Sequence, residues 1–172
     1  MPAAVGNRLD SRAMSKPEAR EVRLPLWSRP GYLIRRLHQI HLALFLEECK
    51  ASQLTPVQYG LLTALAIRGD LDQVSLAEEL GLDRTTTAEV LRRLEARRLV
   101  SRKANPDDRR AKLARITPQG RKLMGAMFRS MQRAQDRLCA PLSQKERDVF
   151  MQTLVRLIEA NNAVGRGALR MD

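Results

Sequence analysis

Aromatic residues are scarce, making up 3% of the 172 positions, with one tryptophan, two tyrosines and three phenylalanines. A core must therefore be assembled from Leu, Ala, Val, Ile and Met, a mix that favours helices. Cysteine is nearly absent as well. Cys49 and Cys139 stand far apart without Cys or His at metal-ligand spacing, so neither a zinc site nor a disulfide framework is indicated. Both are expected to be buried free thiols. No apolar run approaches the length of a membrane span, and no signal-peptide core or terminal lipidation motif is present, so a soluble, cytoplasmic protein with no membrane partner is expected. Catalytic signatures are missing too. There is no Gly-rich phosphate loop and no nucleophile elbow, and the two histidines, His38 and His41, share a helix without the glutamate pattern of a zinc protease. The chain reads as a non-enzyme that uses no cofactor and no metal.

Negative charge is in short supply. Lys and Arg number 31 against 19 Asp and Glu, a formal net charge of +12, which points to a polyanionic partner, with nucleic acid foremost. The hydrophobic fraction of 44% is ordinary, and the length suits one domain or two small lobes sharing a core.

Residues 1–28 mix Pro, Ala, Ser and charges without sustained periodicity and are read as a flexible arm. From Pro30 the pattern changes, with Leu33, Ile34, Leu37, Ile40 and Leu44 at helical spacing up to about Lys50. Thr55-Pro56-Val57-Gln58 has the form of a capping box with proline in the first turn, opening a helix that carries Leu61, Leu62 and Leu65 and ends near Gly69. Ser75 and Glu78 suggest a second capping box for a short helix, which Gly81 ends because glycine accepts the left-handed backbone of a tight turn. Asp83 then caps a helix whose buried face is Thr87, Val90, Leu91 and Leu94. The sequence is helix, glycine turn, helix.

After Leu99 the period drops to two. Val100–Lys103 and Leu113–Thr117 read as strands flanking Ala104-Asn105-Pro106-Asp107-Asp108-Arg109-Arg110, a hairpin with a basic tip. Pro118 opens a long helix to about Cys139, and Ser143 with Glu146 caps a last one carrying Val149, Phe150, Leu154, Leu157 and Ile158. That last apolar face finds no partner in the helix-turn-helix, so packing with the helix from Pro30 and with a second copy of the chain is expected. The fold class is mainly α with a small β wing (α+β minor). A winged helix-turn-helix lobe spans 54–118, dimerisation helices span 30–52 and 119–163, and a flexible tail spans 164–172.

The second helix of a helix-turn-helix enters the major groove by its N-terminal end, which assigns Arg84, Thr85, Thr86, Ala88 and Glu89 to base edges. Arg84 suits guanine, the threonines suit bases, phosphates or a thymine methyl, and Glu89 suits a cytosine amine. Arg92, Arg93 and Arg97, together with Arg98, fall beside the DNA backbone, and Arg102 and Lys112 extend the same basic run into the hairpin. Between residues 97 and 122 ten cations face only Asp107 and Asp108, so the hairpin tip can reach an adjacent minor groove.

From Leu54 to Leu123 the chain resembles the MarR family of bacterial winged helix-turn-helix regulators. The resemblance is carried by LTPVQYGLL, by SLAEELGLDRTTTAEVLRRLEARRLV and above all by NPDDRRAKLARITPQG across the wing. It implies a homodimer with interlocked terminal helices that grips double-stranded DNA at a pseudo-palindromic operator. It also implies that Arg110 enters the minor groove with Asp108 orienting it and Arg109 alongside. Arg98 departs from the family, where glycine is common.

The resemblance further implies a small-molecule effector, an aromatic carboxylate or its CoA thioester. Trp27, Arg29, Tyr32, Arg35, Arg36, His38 and His41 are the candidate ligand-binding residues, the arginines being suited to anionic groups. Alternatives within and outside this reading are a cysteine-based redox-sensing regulator acting through Cys49, a non-specific nucleic-acid-binding protein, and an adaptor that holds a protein partner.

Overall fold

A computed structural model describes residues 25–106 and 111–165. The arm up to residue 24, the wing-tip residues Asp108, Arg109 and Arg110, and the tail from residue 166 lie outside the described residues. The elements are α1 (Pro30–Glu48), α2 (Pro56–Arg68), α3 (Gln73–Leu80), α4 (Arg84–Ala96), β1 (Val100–Ala104), β2 (Lys112–Ile116), α5 (Pro118–Cys139) and α6 (Gln144–Asn161). Short 3-10 turns occupy Leu26–Ser28, Lys50–Ser52 and Asn162–Val164. The mainly helical fold class with a two-stranded wing is as the sequence predicts.

Contacts divide the chain into a first unit ending at His38 and a second beginning at Gln39. In the first, the Trp27 ring meets Tyr32 edge-on at 5.6 Å. The Arg35 guanidinium lies 5.3 Å from the centre of the Tyr32 ring.

The second unit holds the core. Leu61, Leu62 and Leu65 of α2 meet Leu76 of α3, Leu91 and Leu94 of α4, Val100 and Ile116 of the strands, Met127 of α5 and Phe45 of α1. This is the i, i+3, i+4, i+7 face expected of α4, with Thr87 fully buried among its leucines. Its hydroxyl is satisfied by donating to the Asp83 carbonyl at 2.9 Å. At the end of α1, Glu48 is ion-paired with Arg133 at 2.7 Å and Arg137 at 2.8 Å on α5. Those guanidiniums, Arg133 first, hold its carboxyl below the usual range.

The caps follow the sequence with one correction. Thr55 with Gln58, and Ser143 with Glu146, form reciprocal boxes, and Asp83 accepts from Thr86 N at 2.8 Å. Ser75 is not a cap. The α3 N-cap is Asp72, whose Oδ1 accepts from both Val74 N and Ser75 N at 2.8 Å. An ionised carboxylate is the stronger acceptor and satisfies two orphan amides at once, which moves the helix start ahead of Ser75.

The hairpin pairs Val100 with Ile116 through Ala104 with Lys112. Relative to the expected strands, β1 gains Ala104 and β2 gains Lys112, while Thr117 leaves the ladder to cap α5 by accepting from Gly120 N at 3.0 Å. A further bridge joins Leu71 to Ala114, with Leu71 N donating to Ala114 O at 3.1 Å and Ala114 N donating to Leu71 O at 2.8 Å.

Two backbone positions make opposite demands. Arg98, at φ +56°, occupies the left-handed position of a Schellman turn, in which Leu99 N donates to Leu94 O at 3.0 Å and Arg98 N to Glu95 O at 2.8 Å. This is the place where glycine is at ease. Gly120 is the reverse case, since a Cβ there would stand 2.4 Å from Leu99 O and 2.8 Å from Ile116 Cγ1. Chemical denaturation is expected to show Arg98→Gly stabilising the chain by about 0.5–1 kcal/mol. Gly120→Ala should destabilise it by about 1–3 kcal/mol.

Candidate nucleic-acid interface

The turn between α3 and α4 sets the presentation of α4. Gly81 sits at φ +60°, and Leu82 N donates to Ala77 O at 2.8 Å. Gln73 Nε2 donates to Arg84 O at 3.0 Å, so the start of α3 is latched to the start of α4. Arg84, Thr85 and Thr86 emerge exposed at the tip, while Ala88 and Glu89 are half-buried one turn on. The three successive threonines divide their roles: Thr87 is core, Thr85 is exposed, and the Thr86 hydroxyl donates to Asp83 Oδ2 at 2.8 Å. An open groove of about 360 Å³ runs between Thr55 and Gln58 at the head of α2 and Thr85, Thr86, Glu89 and Arg93 of α4.

The cations around this helix are held by partners that differ from one to the next. Glu89 accepts from Arg92 Nε at 2.9 Å, from Arg92 Nη2 at 2.8 Å and from Arg93 Nε at 2.7 Å. Arg92 foremost, then Arg93, pulls its carboxyl down to about 2. Arg102 on β1 pairs with Glu95 and lowers that carboxyl in turn. Lys112 is exposed on β2.

Arg97 behaves differently from the others. Its Nη1 donates to Gln53 O and its Nη2 to Ser52 O, both at 2.8 Å, so the guanidinium closes the α1–α2 loop against the end of α4. That use draws on backbone carbonyls 44 and 45 residues away, and no local sequence signal marks it.

Asp70 is the functional-site residue that the sequence did not reveal. Its Oδ1 accepts from Arg115 Nε and its Oδ2 from Arg115 Nη2, each at 2.7 Å, while Lys103 Nζ lies 2.9 Å from Oδ2. One carboxylate thus ties both wing strands to the lobe. Arg115 first, then Lys103, holds it well below the usual carboxylate range. At the base of the wing tip, Asn105 N donates to Ala111 O at 3.0 Å and closes the hairpin stem.

Of the residues assigned to a ligand, Trp27, Tyr32 and Arg35 are brought together as described above. Arg29 is exposed just before α1, Arg36 and His38 are exposed on it, and His41 is half-buried in the second unit. Cys49 is 3% exposed, and burial pushes its thiol above its ordinary value, the opposite of what a reactive thiolate needs. Among the described residues no cluster of His, Cys, Asp or Glu could hold a metal ion, and no helix is long and apolar enough to cross a membrane.

A latched helix pair that presents an exposed basic tip, followed by a two-stranded wing, defines a winged helix-turn-helix protein. The sequence profile of the MarR family matches residues 52–111. The chain is 30% identical over 135 residues to the HTH-type transcriptional repressor NicR of Pseudomonas putida, covering 78% of this chain and 85% of NicR. PcaV of Streptomyces coelicolor, solved in complex with its natural ligand, superposes with a TM-score of 0.73 at 34% identity, over 80% of this chain and 96% of PcaV. BpsR of Bordetella bronchiseptica, whose structure concerns the regulation of its DNA binding by 6-hydroxynicotinic acid, gives a TM-score of 0.75 at 30% identity, over 78% of this chain and 96% of BpsR. The chain belongs to the MarR family of transcriptional regulators.

Two measurements check the site. Arg97→Ala should lower stability yet leave the salt dependence of DNA binding unchanged, whereas loss of a phosphate contact would flatten the log–log slope by about 0.9. Asp70→Asn should cost on the order of 1 kcal/mol at pH 7, a figure kept small because Arg115 is 56% exposed and screened by solvent. The folded carboxyl is depressed, so its stabilisation is present above the unfolded value of about 3.9 and is lost as pH falls further. The gap between parent and variant in denaturation should therefore be constant above about pH 5 and shrink below about pH 4.

Proposed function

We propose that the protein is a homodimeric repressor that binds a pseudo-palindromic operator and is released by a small anionic aromatic effector. The observation that carries this reading is the exposed basic tip of α4, held by the Gly81 turn and the Gln73 latch in a chain of this family. Arg84, Thr85, Thr86, Ala88 and Glu89 would meet base edges, and Arg92, Arg93 and Lys112 the phosphates. Asp108, Arg109 and Arg110 would carry the wing tip into the minor groove.

Support for a dimer comes from apolar side chains left open to solvent. Ile40 and Leu46 of α1, and Val149, Val155, Leu157 and Ile158 of α6, are each more than two-fifths exposed. Apolar faces of this kind on terminal helices are what a second copy would cover. Two half-sites about 34 Å apart would then match two recognition helices.

For the effector, support comes from the aromatic pair Trp27 and Tyr32 beside the Arg35 cation, chemistry that suits an aromatic ring with a carboxylate. PcaV carries a natural ligand and BpsR responds to 6-hydroxynicotinic acid, which favours an acid of that class, free or as its CoA thioester. Release follows by linkage if the effector binds more tightly to a dimer whose recognition helices no longer match the operator spacing.

Fluorescence anisotropy on DNA from immediately upstream of the gene, against a scrambled duplex at two salt concentrations, tests the reading. A specificity ratio of about 10³ or more that survives the higher salt is the expected outcome. Aromatic acids and their CoA thioesters would then be titrated to displace the protein. Equal and steeply salt-dependent binding to both duplexes would replace the operator-specific repressor with a non-specific binder.

A further inference from the structure

The two acidic residues of α4, Glu89 and Glu95, both face arginines that would otherwise be presented to a polyanion. Glu89 is the one inside the base-facing stretch. It lines the groove beside Thr85 and Thr86, and its two oxygens take three N–H donors from Arg92 and Arg93. Arg92 is 67% and Arg93 60% exposed, so these pairs add little to folding. Their consequence lies in what DNA meets.

We propose that Glu89 is a specificity-determining residue that penalises binding to DNA of arbitrary sequence. This rests on the reading of α4 as the recognition helix. Any phosphate that recruits Arg92 and Arg93 must take them from a carboxylate. That carboxylate is then left without its partners next to a polyanion, a cost that any duplex imposes. Only a base that offers an amine at that position, the N4 of cytosine or the N6 of adenine, can re-pair it. Before DNA arrives, Arg92 and Arg93 hold the carboxyl low, so it enters the encounter ionised. A chain with a net charge of +12 has a strong sequence-independent attraction to nucleic acid, and a discriminating carboxylate in the reading helix counters it locally.

The test uses the full chain and a random-sequence duplex, with affinity followed by anisotropy from low to moderate salt. Glu89→Gln should bind the random duplex about tenfold more tightly, with a log–log salt slope steeper by about one to two units as Arg92 and Arg93 turn to phosphates. Glu89→Asp, which keeps the charge, should stay near the parent. Glu79→Gln on α3, where Glu79 pairs with Arg68 at the end of α2, makes the same change in net charge and should leave affinity and slope within about twofold of the parent, isolating position from total charge. If Glu89→Gln matched the parent, or matched Glu79→Gln, the proposal would be overturned. If the parent and every variant bound no duplex even at the lowest salt, the DNA-binding reading itself would fall, and this inference with it.

Discussion

The close approach at the Leu99 carbonyl is the constraint on which the lobe depends. Thr117 donates to that oxygen through its backbone N at 3.0 Å, its hydroxyl donates to Arg98 O at 2.8 Å with Leu99 O a longer 3.2 Å away, and Gly120 rests against Leu99 O with no room for a Cβ. The exit of α4, the base of the hairpin and the start of α5 therefore meet at one polar atom. Because β1 begins at Val100, the direction of α4 and the position of the wing are set by the same bonds. The left-handed Arg98 one residue earlier is the local cost of that geometry, tolerated because the Schellman bonds and the buried Leu99 on either side over-determine it.

Around this node the arginines, alike in sequence, have unlike work. Arg97 donates to carbonyls of the α1–α2 loop, Arg102 joins wing to helix through Glu95, and Arg115 fastens the wing to Asp70. Arg133 and Arg137 hold the end of α1 to α5 through Glu48. The guanidinium suits these tasks because its planar fork can bond two acceptors at once and stays charged. Much of the positive charge around the lobe is thus scaffold, and this is told only by what each side chain touches.

Much of the fold was legible because its signals are local. Thr55 with Gln58, Asp83, Gly81 and Ser143 with Glu146 act within one helical turn, and the spacing of Thr87, Val90, Leu91 and Leu94 places the buried face of α4 without any long-range knowledge. Ser75 misled because both it and Asp72 satisfy a capping pattern, and only the competition between acceptors decides. The Glu89 pairs were within reach of sequence, since Arg92 and Arg93 stand at i+3 and i+4. Asp70 and Arg97 were not, because Lys103, Arg115 and the carbonyls that Arg97 bonds are remote in sequence and the pairing exists only once the chain has folded.

The bridge from Leu71 to Ala114 also bears on the edges of the wing sheet. The sheet stays two-stranded, but Leu71 covers the outer side of β2 at Ala114, while β1 pairs only with β2 among the described residues. An open edge invites a strand from another molecule. Along β1 the sequence Ser101-Arg102-Lys103 is exposed, with two long cations on five residues of strand. Both cations are anchored to the lobe, Arg102 by Glu95 and Lys103 by Asp70, so a strand approaching that edge would meet paired, hydrated charges that resist burial rather than apolar side chains.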